Sequence, residues 1–144
     1  MSPLSPEIKK ELIAKATGAM KLAYCPYSKY EVGAALLTSD DKIVTGGNVE
    51  NASYGGTICA ERSAVCRAVA EGHRSFKAVV VVTHSPKPAS PCGLCRQFLF
   101  EFGNFHVILA STKTDETVET TIGELLPGGF GPHSMEEFNK TLTN

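Results

Sequence analysis

Residues 77–83, KAVVVVT, hold four consecutive valines in a continuous apolar run. A strand with one wet face alternates apolar and polar residues, whereas a strand covered on both faces has no need to. The run therefore demands a strand at the centre of a sheet, with helices on both sides. The rest of the chain supplies them. Ser5, followed by Pro6 and Glu7, is a helix entry, and Ile8, Leu12, Ala16, Ala19 and Met20 recur at helical spacing. A first helix to about Leu22 is predicted. Segments 31–37 (EVGAALL) and 43–48 (IVTGGN) flank TSDDK, whose aspartates suit a turn, and read as an antiparallel hairpin. A second helix over 58–71 carries Ile58, Ala64, Val65, Ala68 and Val69 and ends at Gly72.

Beyond the turn-rich HSPKPASPCG, Cys95 to Phe102 reads as a third helix, HVILAS as a fourth strand and ETVETT as a fifth. TKTD, between the last two strands, is too short for a parallel crossover, so strand five should run antiparallel to strand four. Thr121 with Glu124, and Ser134 with Glu137, have capping-box spacing and predict two short terminal helices. The expected fold class is α/β: a three-layer α-β-α arrangement around one mixed five-stranded sheet, with residues 1–144 forming a single domain.

Lysine and arginine number 14 against 15 aspartates and glutamates, a net charge of -1, with no basic cluster longer than Lys9-Lys10. Nucleic-acid binding is therefore not expected. The N-terminus lacks the apolar segment of a signal peptide, and AVVVV is far too short to span a bilayer, so the expected location is cytoplasmic and away from membranes. Five cysteines is an odd number. In a chain of this kind, thiols serve more often as metal ligands or buried small residues than as disulfide partners.

Cys92 and Cys95, in SPCGLCRQF, form a Cys-x2-Cys pair at a helix start. Alone, the pair suits a metal site, a redox dithiol or plain burial. Cys59 and Glu61, in TICAERSAV, occupy an equivalent helix start, which disfavours the thioredoxin-like dithiol. Zinc held by three thiolates with one open position is a catalytic arrangement, whereas structural zinc closes with a fourth ligand. The other candidates for a fourth ligand are poorly placed. Cys66 lies two helical turns from Cys59, about 10 Å by helix rise. Cys25 has no visible partner, and His73, His84, His106 and His133 lack ligand spacing. Asn48 and Glu50, two apart at a strand end, share a face, and an amide beside a carboxylate suits a sugar hydroxyl.

PYSKYEVGAALL, GGNVENASY, CAERSA, PCGLCRQF and ELLPGGFGP, in that order, resemble the small homotetrameric cytidine deaminases over residues 22–132. The resemblance implies the deaminase fold, one zinc ion per chain on Cys59, Cys92 and Cys95, and hydrolysis of cytidine, with deoxycytidine also accepted, to the uracil nucleoside and ammonia in pyrimidine salvage. It implies that Glu61 takes a proton from the activated water, protonates N3 of the pyrimidine and delivers a proton to the departing ammonia. Three thiolates overcompensate the metal's +2 charge. Two helix N-termini return positive field, and the resemblance adds Arg62 as a hydrogen-bond donor to a thiolate. Asn48 and Glu50 are assigned to the ribose, Tyr30 to the base, and Ala60 to substrate binding. Tyr54 and Phe130 stand where residues of a neighbouring subunit complete the pocket of a homotetramer. Three features depart from the pattern: Tyr30 where phenylalanine is usual, Gly55-Gly56-Thr57 before the zinc helix, and Leu94 where alanine is frequent. Two rival functions are an aminohydrolase for another cytosine nucleoside, of the blasticidin type, and a zinc-stabilised binding module without turnover.

Overall fold

The structure, a computed structural model, describes residues 3–143, so the expected domain over 1–144 extends past it by Met1, Ser2 and Asn144. Five strands form one sheet in the order β2-β1-β3-β4-β5. The hairpin is β1 (Val32–Thr38) and β2 (Ile43–Gly47), antiparallel, with Ala35 opposite Thr45. Its turn places Asp41 at φ 65, a left-handed conformation that aspartate tolerates. The valine run becomes β3 (Phe76–Thr83), the middle strand, buried from Ala78 to Thr83. It pairs antiparallel with β1 and parallel with β4 (His106–Ser111). The last strand, β5 (Thr114–Thr121), runs antiparallel to β4 and is largely exposed at the sheet edge.

Side-chain alternation divides the apolar residues between two cores. Ala35, Leu37, Ala78, Val80, Val82 and Ile108 pack beneath Leu12, Ala16 and Met20 of α1 (Pro6–Met20). Ala34, Leu36, Val79, Val81, Val107 and Leu109 face Ala64, Val65 and Ala68 of α2 (Ala60–Ala70), Leu99 of α3 (Gly93–Phe100) and Ile122 of α4 (Ile122–Leu125). Each valine fully removed from water in this way contributes on the order of 1.5–3 kcal/mol. Two glycines let the helices descend onto the strands. A Cβ on Gly33 would stand 1.9 Å from the Ala16 carbonyl oxygen of α1, and one on Gly46 would stand 2.4 Å from the Ala64 nitrogen and 2.7 Å from the Ala60 oxygen of α2. Backbone therefore lies on backbone at both contacts. The open edge of β2 is covered by Arg67, whose Nη1 donates to the Thr45 carbonyl at 3.3 Å and hydroxyl at 3.2 Å.

The expected sheet, its strand directions and the helices on both faces are observed, with shifts at several ends. The first helix stops at Met20, two residues before the expected end, and the second begins at Ala60 with Cys59 as its N-cap. The third starts at Gly93 rather than Cys95, because Cys92 takes the N-cap position. The fifth strand begins at Thr114, so TKTD is half strand and the turn is shorter than expected. Thr121 and Glu124 form the expected capping box. Ser134 and Glu137 do not. The last helix, α5 (Pro132–Leu142), starts three residues earlier with proline in its first turn, and Ser134 sits inside it, its Oγ accepting from the Gly131 N–H at 3.3 Å. None of the residues of α5 is buried, and Met135, Phe138 and Leu142 project into solvent.

Candidate metal centre and substrate cleft

Both helix entries expected to carry chemistry meet at the carboxyl end of β3. Cys59 is the N-cap of α2, Cys92 the N-cap of α3, and Cys95 lies one turn further along α3. Neither cap side chain accepts a hydrogen bond from its own helix. The unpaired first-turn N–H groups of two helices therefore bring positive potential to the thiols. The three sulfurs lie within 4.8 Å of one another, with Cys59 Sγ and Cys92 Sγ 3.8 Å apart. Two sulfurs on one tetrahedral zinc, each at about 2.3 Å, stand about 3.8 Å apart. The donor set thus fits zinc in type and spacing. Among the described residues no other histidine, cysteine or carboxylate joins the cluster, and Cys25 and Cys66 lie outside it.

The polar surroundings of the cluster are uneven. The Cys59 thiol is pulled down to about 5, first by a hydrogen bond from Cys95 and then by Arg62 and Cys92. The same bond to Cys59 pushes the Cys95 thiol up, with burial adding to it. Metal binding therefore releases the proton that Cys95 holds. Arg62 Nη2 lies 3.6 Å from Cys59 Sγ and 3.3 Å from the Thr57 carbonyl, while its Nε is buried with no partner among the described residues. Glu61 is 4% exposed, and its Oε2 accepts from Cys95 Sγ at 3.4 Å. Burial pushes its carboxyl above the usual range, and the negative charge at Cys59 adds to the effect.

A cavity of about 440 Å³ opens over this carboxylate, lined by Tyr30, Asn48, Glu50, Ala60, Glu61 and Cys92 among others. Asn48 and Glu50 lie just past β2, in a stretch pinned by Val49 bridges to Tyr24 and Ile58. Each is half used by the fold. Asn48 Oδ1 accepts from the Val32 N–H at 2.9 Å and its Nδ2 donates to the Tyr30 carbonyl at 2.8 Å. Glu50 Oε1 accepts from the N–H groups of Tyr27 at 3.1 Å and Ser28 at 3.0 Å. The hydrogen bonds from Ser28 and then from Tyr27 hold its carboxyl below the usual range. One amide hydrogen of Asn48 and the second oxygen of Glu50 remain for another partner.

The structure does not bring Tyr54 and Phe130 into this cavity. Tyr54 is 75% exposed, stacks edge-on against Tyr27 at 5.8 Å, and lines an adjoining hollow of about 390 Å³ with Ser28, Glu50 and Thr57. Phe130 is 60% exposed. Leu94, between the later cysteines, also faces outward. Other contributors went unremarked in the sequence: Ser28, Ala89 and Ser90 in the lining, and Ser85, which hydrogen-bonds to the Tyr30 hydroxyl; Thr57, noted only as part of a departure from the family pattern, also lines the cavity. Small loop residues carry no pattern that would flag them, although Ser90 and Thr57 lie within three residues of a zinc cysteine. A larger, shallow depression of about 820 Å³ lies at the opposite end of β3 and β4, around His106 and Glu119, and contains none of the thiols.

Residues 6–111 match the model of the cytidine and deoxycytidylate deaminase zinc-binding region. The chain is 48% identical over 128 residues to a cytidine deaminase of Sporosarcina psychrophila, covering 88% of this chain and 93% of that one. It is 45% identical over 133 residues to a probable cytidine deaminase of Dictyostelium discoideum, covering 92% and 90%. The crystal structure of a cytidine deaminase from Burkholderia pseudomallei superposes with a TM-score of 0.82 at 43% identity, over 88% of this chain and all of that one.

Proposed function

The chain belongs to the cytidine and deoxycytidylate deaminase family, and we propose that within it this protein hydrolyses free cytidine, and deoxycytidine, to the uracil nucleoside and ammonia, with Glu61 as the proton carrier. The observation that carries this reading is a buried carboxylate beside a three-thiol cluster, at the floor of a nucleoside-sized cavity. Cys59, Cys92 and Cys95 would hold the zinc, which when bound would supply a water acidic enough to serve as nucleophile near neutral pH.

The chain's own residues do the rest. Glu61, its carboxyl raised above the usual range by burial, is placed to accept and return protons, as a general acid-base group must. It takes one proton of the water and places it on N3, so that C4 becomes electrophilic and bonds to the water's oxygen. It then takes the second proton from that oxygen and passes it to the 4-amino group, which leaves as ammonia as the C4–N bond breaks. Arg62 and the first turns of α2 and α3 hold negative charge on the thiolates. The free hydrogen of Asn48 and the free oxygen of Glu50 grip the 3′-hydroxyl, which ribose and deoxyribose share, while Tyr30 and Ala60 flank the base.

Charge selects nucleoside over nucleotide. The described lining of the cavity and of the adjoining hollow holds no lysine, arginine or histidine, and it includes Glu50 and Glu61. A 5′-phosphate would meet like charge, and Lys29, the cation that acts on Glu50, lies outside the lining. Tyr54 and Phe130, exposed and outside their own cavity, act on that of a neighbouring copy in a homotetramer. No described helix is long and apolar enough to cross a membrane. The role we propose is in cytoplasmic pyrimidine salvage.

Loss of cytidine absorbance, measured with and without a zinc chelator, tests the proposal. Turnover of cytidine and deoxycytidine, abolished by the chelator and restored by zinc, with none of deoxycytidylate, is expected. Preferential turnover of blasticidin S, or zinc binding without turnover of any of these, would overturn it.

A further inference from the structure

Arg96 directly follows the third cysteine of the cluster, yet its guanidinium hydrogen-bonds to none of the thiols. It donates to three neutral oxygens: from Nε to the Pro91 carbonyl at 2.8 Å, from Nη2 to Ser90 Oγ at 2.8 Å, and from Nη1 to the Leu125 carbonyl at 2.9 Å. The first two acceptors stand immediately before Cys92. Among the described residues no other hydrogen bond is made by residues 86–91, through backbone or side chain, so Arg96 supplies the hydrogen bonds that hold the loop delivering this cysteine. The third acceptor ends α4, where the chain enters the 126–131 loop. The neighbouring Gln97 reaches the far end of that loop, its Nε2 donating to the Phe130 carbonyl at 2.8 Å. Two adjacent side chains of α3 thus hold both the loop before Cys92 and the loop that displays Phe130.

We propose that Arg96 is a positioning residue that fixes the Cys92 loop and the Phe130 loop relative to each other, with Gln97 as its auxiliary. The proposal rests on the roles given above to Cys92 and Phe130. Geometry, not charge, is what the site requires. All three acceptors are uncharged, and they diverge in a way that a planar five-donor fork can satisfy and the point donor of a lysine cannot. A loop of this sequence, with Pro88 and Pro91 lacking N–H groups, has few means of fixing itself.

Two readouts independent of turnover test this in the zinc-loaded enzyme. One is the rate of zinc release to a chromophoric chelator, and the other is the rate of chymotryptic cleavage after Phe130, mapped by mass. Arg96→Lys should release zinc about 10- to 100-fold faster, the range typical of lost outer support around a metal site, and should be cut faster as well. Free guanidinium ion should partly restore slow release to Arg96→Ala. The arms should separate. Ser90→Ala should speed zinc release a few-fold and leave the cleavage rate alone, whereas Gln97→Ala should do the reverse. Wild-type rates of both in Arg96→Lys would overturn the proposal. If that variant does not fold, unchanged rates in both Ser90→Ala and Gln97→Ala would overturn it. A wild type that binds zinc but leaves cytidine untouched defeats the proposed function and leaves these two measurements standing.

Discussion

The zinc end of α2 and α3 and the C-terminal stretch from Leu126 onward are built on opposite terms. At the zinc end the chain finishes its own work: Glu61, Ala60 and Cys95 are buried, and the thiols, Arg62 and Glu61 contact one another. In the C-terminal stretch, Phe130, Met135, Phe138 and Leu142 are all exposed, and α5 buries nothing. Apolar side chains gathered on a surface in this way mark a contact with something else. On the proposed function, the difference means that one chain carries the complete proton and metal chemistry but only part of the enclosure. Substitutions at the first region should therefore act within the chain, and those at the second should act through assembly.

The sharpest break of that division would come from the metal ligands. Replacing Cys59, Cys92 or Cys95 by alanine should abolish zinc binding and turnover together, whereas Cys25→Ala and Cys66→Ala should keep one zinc per chain. Metal analysis of the five variants decides, and zinc loss in Cys25→Ala would mean that the chain closes the site with a fourth ligand. Glu61→Ala should keep zinc and fold while kcat drops by about 10³- to 10⁴-fold or more, since one carboxylate makes several transfers. Retention of more than about a tenth of kcat, a barrier change of only about 1.4 kcal/mol, would remove Glu61 from the role.

Phe130→Ala tests the other region and should cost about 1–3 kcal/mol in kcat/KM, by analogy with bases stacked on aromatic rings. Refolding Glu61→Ala and Phe130→Ala chains together in equal amounts should rebuild about a quarter of the sites with both parts intact. Verified mixed oligomers with no gain over the separate mutants would make the enclosure a property of the single chain. Tyr30→Phe sharpens the comparison from within the cavity. It deletes the hydroxyl bonded to Ser85 and should lower stability by about 0.5–1.5 kcal/mol with turnover nearly unchanged. The smallest effect belongs to Glu50. Its carboxyl is held below the usual range by Ser28 and Tyr27, so its contribution is present above the ordinary carboxylate pKa and fades as pH falls through the lowered one. The difference in Tm between wild type and Glu50→Gln should be visible near neutrality and vanish in acid. A difference that persists in acid would show that ionisation of Glu50 does not hold the 27–28 backbone.

Legibility in the sequence followed the same division. The valine run announced a sheet centre because continuous burial leaves a mark in composition, and the two cysteine-bearing helix starts announced the metal because ligands have spacing. Chain-end details were less legible. Ser134 with Glu137 imitates a capping box, but Pro132 is a stronger helix start and moved the entry back. Asn48 and Glu50 could be paired by their spacing, yet nothing in NVEN tells that each gives half of its hydrogen-bonding capacity to the 27–32 backbone. The tie from Tyr30 to Ser85 spans 55 residues and exists only after folding.

Gly46 bears on the accuracy with which the site is held. Its missing side chain lets the first turn of α2, with Glu61 in it, rest on the strand's own backbone. Side chains placed between a helix and a sheet can change rotamer, and each change shifts the helix by a fraction of an ångström. Here no such adjustable layer exists, so the carboxylate inherits the tolerance of a hydrogen-bonded strand. One added methyl at position 46 would introduce that layer, press on the Ala60 carbonyl and raise the helix start, detuning the alignment of Glu61 over the cavity from the far side of the helix.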